Sequence, residues 1–332
     1  MILDKKQIRI EDYISGVTRG DRAFLAKSIT LKESVKRELI GLSHLLLSKL
    51  MHLSGKSIRI CITGAPGVGK SSFIESFGSY MCDIGHKVAV LAIDPSSSLS
   101  RGSILGDKTR MENLSRNENA FIRPSPSGGT LGGVAKKTRE SIILCEAAGY
   151  DIILIETIGV GQSEITARSM TDFFLLLLSP GSGDELQGIK KGSVELSDCI
   201  VINKADGMNI ENAGITKHNY ENALHLINPV TTGWSIRVLT CSAYNNQGIP
   251  EIWQIVEEFS NHTKSTGVFE ERRNNQLLDW FNTCLEDELK DRFYANSKVS
   301  ELMKNYGKKV LESKISPAAA AEKILKIIDI KI

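Results

Sequence analysis

The 332-residue chain carries only six cysteines, Cys61, Cys82, Cys145, Cys199, Cys241 and Cys284, with no CxxC pair among them. That scatter argues against both a disulfide framework and a zinc site. Cys61, Cys199 and Cys241 fall in or beside apolar runs, where cysteine serves as a small hydrophobe. Net charge is nearly absent, +2 overall, and no block of one sign marks a nucleic-acid tail or a membrane-binding face. Long hydrophobic runs are missing as well. The stretch Phe173 to Leu178 is far short of the roughly 20 apolar residues that a bilayer requires. His44, His52, His86, His218, His225 and His262 are dispersed, internal repeats are lacking, and the one compositional bias is the alanine run 318–321. The first residues, with Asp4, Glu11 and Asp12, resemble neither a signal peptide nor an acid-poor transit peptide. These absences predict a soluble, cytoplasmic protein with reduced thiols and with neither nucleic acid nor membrane among its partners.

What is present is a globular composition, 41% hydrophobic and 24% charged. The length favours one sizeable α/β domain with helical additions. From about Ile8 to Leu53 apolar residues recur at helical spacing, as in Leu39, Leu42, Leu46, Leu50 and Leu53, and Ser54 and Gly55 end the pattern. Seven short apolar runs follow, at 58–63, 87–93, 120–123, 151–156, 172–179, 198–203 and 236–241. Most are too apolar to face water on either side. They predict a mostly parallel sheet covered by helices on both faces, with functional residues at the C-terminal strand ends. Beyond Asn261 the pattern is helical again, and Pro317 after Ser316 marks a helix start. The expected organisation is an N-terminal helical region over 1–55, a nucleotide-binding domain over 56–262 and a C-terminal helical arm over 263–332.

Chemistry concentrates first at Gly64 to Ser71, GAPGVGKS, directly after an apolar run. A glycine-rich turn between strand and helix lets backbone N–H groups converge on a phosphate, and the helix adds its positive end. Gly64, Ala65, Pro66, Gly67, Val68, Gly69, Lys70, Ser71 and Ser72 form the expected phosphate-binding set. Lys70 would reach the β- and γ-phosphates and Ser71 would ligate Mg²⁺. Asn203-Lys204-Ala205-Asp206 ends the sixth run and names the base. The Asp206 carboxylate can accept from both N1–H and the exocyclic amine of guanine, a donor pair that adenine lacks. Asn203 would tie this loop to the phosphate loop, and the Lys204 stem would lie over the base ring. Thr240-Cys241-Ser242-Ala243 fits the companion loop, in which Ser242 and Ala243 bring a backbone N–H to guanine O6.

On the other side, Glu156-Thr157-Ile158-Gly159 follows the fourth run. Glu156, where Asp is usual, would hold Mg²⁺ or its water, and Gly159 would let the backbone approach the γ-phosphate. Gln162 is a candidate for orienting the attacking water, with a plain loop position as its alternative. Asp94 and Asp107 are two more carboxylates expected near Mg²⁺, and the Ser- and Gly-rich segment 96–103 has the composition of a switch.

Five stretches taken together, GAPGVGKS, IDPSSSLSRGSILGDKTRM (93–111), ETIGVGQSE (156–164), PGSGDELQGIKKG (180–192) and NKADG (203–207), resemble the MeaB/ArgK family of P-loop GTPases. The resemblance is specific over about Lys56 to Gly248. It implies a P-loop NTPase fold, Mg²⁺-dependent hydrolysis of GTP to GDP and phosphate, and a homodimer formed through the C-terminal helices. It also implies a chaperone that gates cofactor loading into an adenosylcobalamin-dependent acyl-CoA mutase of the methylmalonyl-CoA mutase type and protects it. A cobalamin adenosyltransferase is a further implied partner. Asp184, Gln187 and Lys190, in the fourth stretch, are the implied partner contacts and nucleotide-state reporters. With Lys70, Glu156 and Asp94 as the catalytic set and no evident arginine finger, turnover should be slow alone and faster with the partner. Two other readings share the phosphate motif. A nickel-delivery GTPase would need clustered His and Cys ligands, and a small-molecule kinase would leave Asn203 to Asp206 without a task.

Overall fold

Seven strands hydrogen-bond into one sheet in the computed structural model, which describes residues 9–34, 37–93, 111–123, 131–157, 162–181, 191–225, 227 and 229–328. The strands are β1 (Ile58–Gly64), β2 (Val88–Ile93), β3 (Ala120–Arg123), β4 (Ile152–Thr157), β5 (Phe173–Leu178), β6 (Cys199–Ile202) and β7 (Arg237–Thr240). Their order is β3-β2-β4-β1-β5-β6-β7 and every pairing is parallel. The sheet is therefore fully parallel where the sequence predicts a mostly parallel one. Each of the seven apolar runs forms a strand.

Several strands begin one residue later than their runs, for a physical reason. Asp151, Asp172 and Asp198 stand just before β4, β5 and β6, and each turns its carboxylate to a backbone N–H of the adjoining strand. Asp151 accepts from Lys87 N at 2.8 Å, Asp172 from Arg59 N at 2.8 Å and Asp198 from Phe174 N at 2.9 Å. These aspartates satisfy main-chain donors at the foot of the sheet with their side chains, while their own backbone N–H groups bond across to Lys87, Arg59 and Phe174.

Period-2 alternation sends one set of side chains to each face. Ile60, Ile62, Val90, Leu154, Leu175 and Leu177 pack with Phe73, Ile74 and Phe77 of α4 (Lys70–Asp83). The helix that returns after β7, Ile249–Ser265, covers the same face through Ile252, Val256 and Phe259. On the opposite face, Cys61, Leu91, Ile153, Ile155 and Phe174 pack with the N-terminal helices α1 (Ile10–Thr18), α2 (Arg22–Glu33) and α3 (Arg37–Leu50). Leu176, Leu178, Ile200 and Ile202 extend that face under Tyr220 and Ala213. A single turn of 3-10 helix, Met51–Leu53, and then Gly55 at φ +89° end the N-terminal helices where the sequence predicts.

Between these elements lie α5 (Glu112–Arg116), α6 (Leu131–Ala147), α7 (Gln162–Arg168), α8 (Lys191–Glu195) and α9 (Ile210–Leu224), so that Ile249–Ser265 is α10. The chain then divides into two compact units, with the boundary between Arg273 and Asn274 inside α11 (Val268–Ala295). In the first unit, the root of α11 is fixed by charge. Arg273 Nη2 donates to Asp172 Oδ2 at 2.6 Å and to the Ser57 carbonyl at 2.9 Å. Arg59 donates to both oxygens of buried Glu146, at 2.9 and 3.0 Å, and Ser57 Oγ donates to the same carboxylate at 2.5 Å. In the second unit, α12 (Ser297–Leu311) packs against α13 (Pro317–Ile328), with Val299, Ala320 and Ile324 buried. Asn296 caps α12 by accepting from Lys298 N at 3.0 Å.

Candidate active site

Strand β1 runs into the turn Gly64–Gly69 and then into α4, which places the glycine-rich loop at the C-terminal edge of the sheet. Gly64 and Gly69 are there for a steric reason. Both have positive φ, +149° and +95°. A Cβ at Gly64 would stand 2.4 Å from the Leu177 carbonyl oxygen, and one at Gly69 2.7 Å from Asn203 Nδ2. Gly69 is also the N-cap of α4, whose first-turn N–H groups lack intrahelical acceptors and, with the helix dipole, make an anion cradle. Val68 is buried and anchors the loop, while Ala65, Pro66, Gly67 and Ser72 face solvent.

Lys70 Nζ donates to the carbonyl oxygens of Gly64 at 2.7 Å and Ala65 at 3.2 Å. Its ammonium is held against the loop it would share with a phosphate. Burial lowers the Lys70 pKa, and the Glu156 and Glu164 carboxylates pull it back up. Because β1 and β4 are neighbours, Ser71 and Glu156 meet although 85 residues separate them: Ser71 Oγ is 3.3 Å from Glu156 Oε1. A hydroxyl beside a carboxylate is the hard oxygen pair that Mg²⁺ takes, so the residues present fit that cation. Among the described residues no group of three or more His, Cys, Asp or Glu gathers to hold a metal.

The loop after β6 locks onto the phosphate loop. Asn203, 2% exposed, donates from Nδ2 to the Val68 carbonyl at 3.0 Å and accepts through Oδ1 from Ala243 N at 3.1 Å. Lys204, at φ +60°, donates from Nζ to the Gly67 carbonyl at 2.7 Å. Asp206 Oδ2 accepts from Ser242 Oγ at 2.5 Å, and Ala205 N donates to the Cys241 carbonyl at 2.9 Å. Ser242 is pinned in turn by a two-way backbone bridge with Gln247. The Ala243 N–H, expected to meet a purine O6, points here to Asn203, so that contact requires a shared or exchanged bond. A cavity of about 340 Å³ opens beside this loop, lined by Ser72, Glu75, Ser76, Ala243 and Tyr244 among others. A larger one, about 810 Å³, lies along β7 between α9 and α10 and holds none of the sequence-predicted site residues.

A family model described as methylmalonyl-CoA mutase-associated GTPase MeaB matches residues 25–298. The chain belongs to the MeaB family. It is accordingly a GTP hydrolase that binds guanine nucleotide. It is 47% identical to the GTPase ArgK of Escherichia coli over 86% of this chain and 87% of that protein. It is 43% identical to the mitochondrial methylmalonic aciduria type A homolog of Mus musculus, over 97% of this chain and 80% of that one. The crystal structure of a LAO/AO transport system kinase superposes with a TM-score of 0.76 at 36% identity, covering 99% of both chains.

Within this MeaB-family site the structure brings together Gly64 to Ser72, Glu156, Asn203, Lys204, Asp206, Ser242 and Ala243. Asp94, Asp107, Gly159, Asp184, Gln187, Lys190 and the segment 96–103 lie outside the described residues. Gln162 begins α7. A set that sequence reasoning missed sits under the phosphate loop. Buried Glu164, 3% exposed, accepts from Thr63 Oγ1 at 3.0 Å and from Ser193 Oγ at 2.7 Å, and Thr157 Oγ1 donates to Thr63 Oγ1 at 2.8 Å. Its one legible signal was an acid closing the stretch ETIGVGQSE.

Proposed function

We propose that this GTPase is a Mg²⁺-dependent chaperone of an adenosylcobalamin-dependent acyl-CoA mutase, using nucleotide turnover to gate cofactor loading and protect the partner. The observation that carries the nucleotide half of this reading is the double bond of Asn203 to Val68 and Ala243, which makes the phosphate and base loops one body. Support for the partner comes from the family, whose description names a mutase-associated GTPase.

In this reading the α4 N–H groups and Lys70 neutralise charge on the phosphates, and Asp206 selects guanine. Ser71 and Glu156 would hold Mg²⁺, which would supply Lewis-acid neutralisation of the phosphate oxygens. Asp94 and Asp107 would serve as further carboxylates near the metal, and Gly159 would let the backbone approach the γ-phosphate. Asp184, Gln187 and Lys190 report nucleotide state to the mutase, and a cobalamin adenosyltransferase is a second partner. Residues 56–262 form the GTPase domain, 1–55 its helical cap and 263–332 a dimerisation arm. Leu278, Phe281, Leu285 and Leu289 support the dimer. They are spaced as one helical stripe on α11 and are 50–63% exposed, an apolar face suited to a second copy. The cytoplasmic location rests on the composition of the sequence. Among the described residues no helix is long and apolar enough to cross a membrane.

The decisive experiment is capture of purified cobalamin-dependent mutases by this protein with GDP and with a non-hydrolysable GTP analogue, together with GTP turnover in the presence and absence of the captured mutase. Nucleotide-dependent capture and faster turnover are expected. Equal capture in both nucleotide states and an unchanged rate would refute the chaperone reading.

A further inference from the structure

Burying a carboxylate costs free energy unless hydrogen bonds satisfy it, and a hydrocarbon side chain of similar size would fill the same space without that cost. Glu164 is such a carboxylate, and its partners come from separate elements that meet at one end of the sheet. Thr63 lies on β1 immediately before Gly64, Thr157 ends β4, and Ser193 lies on α8, the first described helix after β5. The proton order along this chain is fixed. Thr157 donates to Thr63, so the single Thr63 proton goes to Glu164 Oε1, while Oε2 takes the Ser193 proton.

We propose that Glu164 is a positioning residue for GTP hydrolysis, linking α8 through Ser193 to Thr63 so that displacement of α8 is felt at the phosphate loop. The proposal rests on the assignment of hydrolysis to Gly64–Ser71. Glu164 belongs neither to the Gly64–Ser71 loop nor to Asn203–Asp206, and acts through Thr63. It sets Thr63, hence the adjoining Gly64 carbonyl to which Lys70 donates. Ser193 is 1% exposed, so its hydroxyl has no water to fall back on when α8 shifts. Loss of its bond takes one hydrogen bond from a buried carboxylate.

The test compares the wild-type protein with Glu164→Gln, Ser193→Ala and the double variant. The measurements are kcat and KM for GTP, GDP affinity and the thermal midpoint. Each single variant is expected to lower kcat about tenfold, with KM and GDP affinity held within about threefold, because alignment and not ground-state binding is lost. The double variant should be no slower than Glu164→Gln, the non-additivity of residues acting through one another. Ser193→Ala turning over GTP at the wild-type rate, losses that multiply in the double variant, or a loss confined to KM would each overturn the proposal. If Glu164→Gln does not fold, Ser193→Ala decides alone. A wild-type protein that binds no guanine nucleotide would undo the assignment of the site itself. A wild type that hydrolyses GTP no faster than both variants overturns the role of Glu164 and leaves that assignment standing.

Discussion

Asn203 Nδ2 and the Val68 carbonyl oxygen, 135 residues apart in sequence, lie 3.0 Å from each other in the interior. Adjacency of β5 with β1 and with β6 brings their loops to one edge, and this bond fixes the spacing between them.

Replacing Asn203 with Ala should therefore loosen both loops at once. The Val68 carbonyl and the Ala243 N–H lose their partner, a cost of about 1–3 kcal/mol for a buried group left unpaired. A fall in the thermal midpoint of roughly 2–4 °C per kcal/mol is expected. GDP affinity should drop about tenfold in parallel. Scanning calorimetry and nucleotide titration check this, and an affinity equal to wild type would show that the bond does not hold the site together.

Asp206→Asn should shift preference from guanosine to xanthosine triphosphate. The variant loses the acceptor for the N1–H and amine of guanine, a change on the order of 1–3 kcal/mol or roughly 5- to 150-fold in Kd. Competition between the two nucleotides for a labelled analogue reads the outcome. Unchanged preference would remove Asp206 from base recognition.

Glu156→Gln should separate binding from turnover. The oxygen beside Ser71 keeps its place but loses its charge, so kcat should fall on the order of 10²-fold while GDP affinity in the absence of Mg²⁺ stays near wild type. Single-turnover hydrolysis with a Mg²⁺ titration measures both. A rate insensitive to the substitution would place the metal carboxylate elsewhere.

Acid should unpick the foot of the sheet through Glu146. Burial alone would raise its pKa. The Arg59 guanidinium, Ser57 Oγ and the Gly55 N–H outweigh that and hold it below its ordinary 4.5. With the folded value depressed, the unfolded state binds more protons in that window, so the stabilisation is present above pH 4.5 and is lost as pH falls through the folded value. Glu146→Gln should cost about 3–5 kcal/mol at neutral pH by stranding Arg59, and flatten the acid slope. Urea unfolding from pH 7 to pH 3 tests it, and parallel slopes for variant and wild type would count against Glu146.

Much of this was readable from the chain, and the reasons differ by element. The strands were legible because strands buried on both faces must be almost wholly apolar, as in FFLLLL at Phe173–Leu178. The phosphate and base loops were legible because their glycines and polar side chains have few substitutes. The apolar pattern also implied helices at both ends. The Glu146–Arg59–Arg273 cluster and the Glu164 set were not legible, since each partner is an ordinary polar residue whose meaning arises when distant strands align. The pairing of Arg273 with Ser57 spans 216 residues, and no local pattern encodes it.

The arginine pair at the start of α11 bears on where the chain can be cut. Arg272 donates to the Asp172 carbonyl, and Arg273 supplies the counter-ion for the Asp172 side chain, which lies among apolar neighbours at the base of β5. A truncation that ends with α10 would strand that anion, whereas one extended by the two basic residues would keep it neutralised. Protein engineers wanting a free-standing nucleotide module have their stop codon set by electrostatics, past Arg273, and not by the nearest loop.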